Sequence, residues 1–134
     1  MTLTLDTLLA TLDDLDPALP AIFAGPHGQT QGDWHVTRIT HGQLAHVDCD
    51  GGRSEDAELV IELLNGPPGA PMDVLRLARI LAKGRSAFPG AGAAPLQVLH
   101  QSMRHTIDHV SDGHIVLTPV HATCRPADRI GCCA

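Results

Sequence analysis

Aromatic side chains are almost missing from this chain: tyrosine is absent, and Phe23, Trp34 and Phe88 are the whole aromatic set in 134 residues. Without stacking platforms, recognition of bases, flavins or sugar rings through aromatic faces is disfavoured. Basic runs are missing too. The nine Lys and Arg residues are scattered and the net charge is −6, which argues against a grip on a phosphate backbone and removes nucleic acid from the expected partners. No apolar stretch approaches the length of a membrane span. The apolar start is interrupted by Asp6, Asp13, Asp14 and Asp16 and carries no basic n-region, so a cytoplasmic protein with no membrane partner is expected. Catalytic signatures are lacking as well: there is no Gly-x-Ser-x-Gly elbow, no phosphate-binding Gly-x-x-x-x-Gly-Lys loop and no Gly-x-Gly-x-x-Gly, and no enzymatic activity is expected from motifs. The carboxylate pairs Glu58 with Glu62 and Asp13 with Asp14 read as solvated faces.

What is present outlines one α+β domain spanning residues 1–134, of a length that buries a sizeable core without needing a metal or disulfide to fold. Leu5, Leu8, Leu9, Leu12 and Leu15 recur at three- and four-residue steps and predict a first helix stopped by Pro17. A second helix is predicted over 72–83, where Asp73 precedes the stripe of Arg76, Arg79 and Lys83 in the order the helix dipole favours, with Gly84 as its stop. Strands are predicted at 19–24, 33–41, 44–49, 59–64, 96–100 and 114–120, while 103–110 is ambiguous. Gly42-Gln43 is read as the turn of a hairpin that brings His35 and Cys49 towards the same end. The faces of the 33–41 strand are mixed. The expected architecture is a mostly antiparallel sheet with two helices on one face, followed by a Cys-containing tail at about 121–134.

The tail carries the strongest chemical signal. Cys124, Cys132 and Cys133, three of the four cysteines, fall within the last eleven residues. In a reducing compartment such thiols read as metal-binding, redox or inert buried groups more naturally than as a disulfide framework. Thiolates are soft donors that suit Zn(II), Cu(I) or trivalent arsenic, with Cys49 as a fourth ligand. The spacing matches no standard zinc ribbon, and adjacent cysteines on extended backbone point to opposite faces. Inert, partly buried thiols are the plain alternative. Among the nine histidines, His35 beside Trp34 is the candidate metal ligand or thiol activator, set against a simple hydrogen-bonding role within the sheet. His105 and His109, four apart, lack the Glu of a His-Glu-x-x-His site and read as solvent-exposed.

Three segments, His35-Val-Thr37, Val47-Asp-Cys49 with its following glycines, and Cys124-Arg-Pro-Ala with Cys132, resemble an uncharacterised bacterial family often encoded near arsenic-resistance regulators. Asp50 here stands between Cys49 and Gly51-Gly52, where that family reads Cys-Gly-Gly. The resemblance implies a link to arsenic or heavy-metal response and points to His35, Cys49, Cys124 and Cys132, without implying a reaction. The expectation is therefore a protein that binds Zn or As(III) through Cys49, Cys124, Cys132, Cys133 and His35. Two rivals stand beside it. One is a thiol redox protein using Cys132 with Cys124 or Cys133; the other is a metal-free interaction domain, which a homodimer would suit.

Overall fold

The computed structural model describes residues 3–25, 34–66, 69 and 71–120. The chain begins with α1 (Leu5–Asp13) and β1 (Ile22–Ala24), followed by the long strands β2 (Trp34–Val47) and β3 (Arg53–Asn65). Next come α2 (Val74–Ala87), a single 3₁₀ turn (Ala91–Ala93), β4 (Leu96–His100), β5 (Met103–Ser111) and β6 (His114–Pro119). Both helices start on side-chain caps that satisfy an otherwise orphaned N–H. The Thr7 amide donates to Thr4 Oγ1 at 3.2 Å and the Arg76 amide to Asp73 Oδ1 at 2.7 Å. No helix among the described residues is long and apolar enough to cross a membrane.

The α+β class holds, but the sheet is neither mostly antiparallel nor a flat layer with helices laid on one face. Its six strands run in the order β1-β6-β5-β4-β3-β2 and curl strongly into a half-barrel. Two of the five pairings, β1 with β6 and β3 with β4, are parallel. The β3–β4 pairing follows from its connection: α2 and the 3₁₀ turn carry the chain back to the start of the sheet, the crossover that parallel neighbours require. Curling is helped by a bulge in each of two strands, at Thr37 in β2 and at Asp108 in β5, because an extra residue bends its strand and raises the local twist.

One core fills the structure. The stripes Leu5, Leu8, Leu12 of α1 and Val74, Leu77, Leu81 of α2 join the inward rows Leu59, Ile61, Leu63 and Leu96, Val98 of the central strands. Each fully buried Leu among them contributes about 1.5–3 kcal/mol relative to exposure. Gly84 does not stop α2, which runs on to Ala87. A Cβ at Gly84 would lie 2.7 Å from Ile39 Cδ1; this glycine instead lets the helix sit close on β2.

The hairpin differs from its expectation in a way that matters for the site. Gly42 and Gln43 lie within β2, paired with Glu58 and Ala57, and the reversal occurs at Asp48–Gly52. There the Asp48 amide donates to the Gly52 carbonyl at 2.7 Å, the Gly52 amide donates to Asp50 Oδ1 at 2.9 Å, and Gly51 takes φ +86°. His35 and Cys49 are consequently held at opposite ends of β2, roughly 40 Å of strand apart at about 3.3 Å per residue.

Candidate functional site

Cys124, Cys132 and Cys133 lie outside the described residues. Cys49 is exposed in the β2–β3 turn, and His35 is half-buried on β2, paired with Leu64 on the convex side of the sheet. No three His, Cys, Asp or Glu side chains gather into a metal-holding group among the described residues.

The two bulges decide which histidines meet. A strand alternates faces with period two, so one extra residue reverses the parity of everything beyond it. In β5 the order Ile107, Asp108, His109 places Ile107 opposite Leu117 but His109 opposite Val116. His105 therefore shares the inward face of Ile107, whereas His109 is exposed, its Nδ1 lying 2.7 Å from Oδ2 of its neighbour Asp108. The four-residue spacing does not align the two imidazoles. The bulge at Thr37 likewise explains the mixed faces of β2: Trp34 and Val36 point inward before it and Ile39 points inward after it, opposite Ile61.

The chemically distinctive place among the described residues is the open end of the half-barrel, where a cavity of about 280 Å³ is bounded by Trp34, His100, Met103, His105, Leu117 and Pro119, among others. His100 ends β4 on the same inward row as Leu96 and Val98, only 8% exposed. Its ring stacks on Trp34 with centroids 3.6 Å apart and planes inclined by 29°. Its Nε2 lies 3.0 Å from Asn65 Oδ1. A carbonyl oxygen can only accept, so Nε2 carries the proton and Nδ1 is the acceptor nitrogen of the neutral ring. Burial, and after it the neighbouring His105, pushes the pKa of His100 below its ordinary value, which keeps the ring neutral near neutral pH.

Two polar atoms at this end have no partner among the described residues. Trp34 Nε1 and His105 Nδ1 are buried without a hydrogen bond, and each such group costs about 1–3 kcal/mol. The turn joining β4 to β5 is strained as well. Gln101 and Ser102 take φ 51° and 64°, the two positive values of a type I′ turn, where Asn-Gly is the favoured pair. The left-handed turn and the two unpartnered atoms thus lie at one rim of the cavity.

His100 is inconspicuous in the sequence. The available signal was its position, an imidazole closing the alternating apolar row Leu96, Val98, His100, where a leucine or valine is the ordinary occupant.

A second hollow of about 380 Å³ lies between α2 and the bulge of β2, beside Ile39, Ile80, Gly84 and Phe88. The outer face carries polar ladders: Arg104 Nη1 donates to Glu58 Oε2 at 2.8 Å and to Gln97 Oε1 at 2.9 Å. His46 lies 3.3 Å from Asp56. These exposed pairs tie neighbouring strands together and are worth little individually.

Comparison with protein-family models, curated proteins and solved structures gives no match. The functional reading therefore rests on this chain's own residues.

Proposed function

We propose that the protein binds a soft metal or metalloid ion, Zn(II) or trivalent arsenic, through the thiolates of its C-terminal segment, as an accessory of arsenic or heavy-metal response. The observation that supports this reading is the concentration of Cys124, Cys132 and Cys133 in the last eleven residues of a chain long enough to fold without a metal. Three sulfurs supply a pyramidal shell for As(III), or three of the four positions Zn(II) prefers.

Metal–sulfur and metal–nitrogen bonds are about 2.0–2.3 Å long, so His35 and Cys49, at the two ends of β2, cannot serve one ion together. Cys49, exposed in its turn, is the better fourth donor because thiolate matches the other three in softness. His35 then serves the sheet.

Binding displaces protons from the thiols, so affinity rises with pH until they are ionised. The test is equilibrium dialysis of reduced protein against zinc and, separately, arsenite. Cys124→Ser and Cys132→Ser each remove retention, while His35→Ala leaves it within twofold. Retention of both ions by the Cys124→Ser, Cys132→Ser double variant would refute the assignment.

A further inference from the structure

We propose that His100, Met103 and His105 form a second, sulfur-and-imidazole site for a monovalent soft cation, Cu(I), independent of the cysteines. The placement comes from strand register. His100 and Met103 face each other directly across the Gln101-Ser102 turn, and His105 pairs with Val98, two residues back from His100. All three share the concave side and border the same cavity. Directly opposed residues hold their Cβ atoms about 5 Å apart, and the diagonal neighbour is about 7–8 Å away, within reach of two imidazoles and a long thioether converging on one ion.

Among the described residues, His105 Nδ1 is buried with no hydrogen-bond partner. His100 donates Nε2–H to Asn65 Oδ1, the outer hydrogen bond that commonly fixes the orientation of a metal-binding imidazole, and so presents Nδ1 as a lone pair. Met103 is 53% exposed, an unusual situation for a thioether with apolar surface to hide, and its sulfur is a soft donor at the mouth.

The lining chooses the ion. Among the described residues, no Asp, Glu, Lys or Arg borders the cavity. Hard divalent cations require carboxylate or carbonyl oxygen, and small organic anions would meet no fixed positive charge. Two imidazole nitrogens and one thioether suit a soft ion of single charge. The Trp34 face, stacked on His100, adds cation–π attraction beside it.

The chain's single tryptophan supplies the readout. A variant with Cys49, Cys124, Cys132 and Cys133 all changed to Ser is titrated anaerobically with Cu(I) buffered by bicinchoninate, following Trp34 emission and the colour of the competitor. One Cu(I) per chain with quenched emission is expected; Met103→Leu and His105→Ala each weaken binding at least tenfold, and His109→Ala leaves it unchanged. Wild-type protein with alkylated thiols gives the same readout without the four serines. Because Met103 is exposed, its leucine variant keeps the fold, which circular dichroism verifies. Unchanged Trp34 emission with no Cu(I) drawn from bicinchoninate, or an affinity indifferent to Met103→Leu, overturns the proposal. Since thiols are removed or blocked throughout, either result leaves the cysteine assignment to be judged separately.

Discussion

Replacing Asn65 with alanine removes the acceptor that holds His100 Nε2 at 3.0 Å and leaves its N–H without that partner. An unsatisfied buried donor costs about 1–3 kcal/mol. His100 is only 8% exposed, but Asn65 lies at the exposed end of β3 and water can enter where its side chain stood. The expected loss is therefore at the lower end, about 1 kcal/mol, a roughly fivefold fall in the ratio of folded to unfolded protein. His100→Leu eliminates the donor itself, so the alanine at Asn65 should then cost much less, and a double-mutant cycle should give a coupling of about 1 kcal/mol. Urea unfolding followed by Trp34 emission measures all four corners of the cycle. Strict additivity, with coupling below about 0.3 kcal/mol, would refute the assignment of a hydrogen bond from Nε2 and with it the acceptor role of Nδ1.

Other consequences follow from the same end of the fold and from its turns. Because the pKa of His100 is lowered, the unfolded chain takes up this proton first; its contribution is complete above the ordinary histidine range and is lost as pH falls from about 6.5 towards the folded value. Urea midpoints at pH 7.5 and 5.5 should accordingly differ less in His100→Leu than in wild type; an equal difference contradicts the shift. Changing the strained turn by Gln101→Asn with Ser102→Gly relieves about 1 kcal/mol per non-glycine αL residue, partly offset by glycine's greater unfolded-state entropy. Calorimetry should show a higher Tm, and an unchanged or lower one argues against strain there. At the β5–β6 turn Gly113 has φ +81°, and a Cβ would collide with the Pro20 carbonyl oxygen. Gly113→Ala should thus destabilise by about 2–4 kcal/mol in urea, and a loss under 1 kcal/mol would contradict that packing.

The helices were the most legible part of the sequence, since the Leu stripe of α1 and the Asp73 cap with the polar face of α2 are local signals. Glycine was harder to read. Gly84 looks like a stop, yet its value lies in the approach of Ile39, a residue 45 positions earlier in the chain. Gly42 looks like a turn but is carried through β2 by the unbroken pairing with β3; the reversal needed the left-handed Gly51 instead. Parity was least legible. One extra residue at Thr37 and another at Asp108 invert the faces beyond them, which is why His105 and His109 separate and why β2 seems to present mixed faces. The mixed sheet was hidden for a related reason: whether β1 and β4 run parallel to their neighbours depends on where the chain returns, which period-two patterns do not encode. The thiols were conspicuous in the sequence, whereas the His100 cavity emerges only when β2, β4, β5 and β6 are assembled.

Native mass spectrometry of reduced protein, purified without chelator and sprayed before and after addition of arsenite or zinc, tests the central proposal most directly. One bound ion per chain, lost when Cys124 and Cys132 are changed to Ser, is the predicted result. A wild-type spectrum with all four thiols reduced and no adduct at either ion would contradict it.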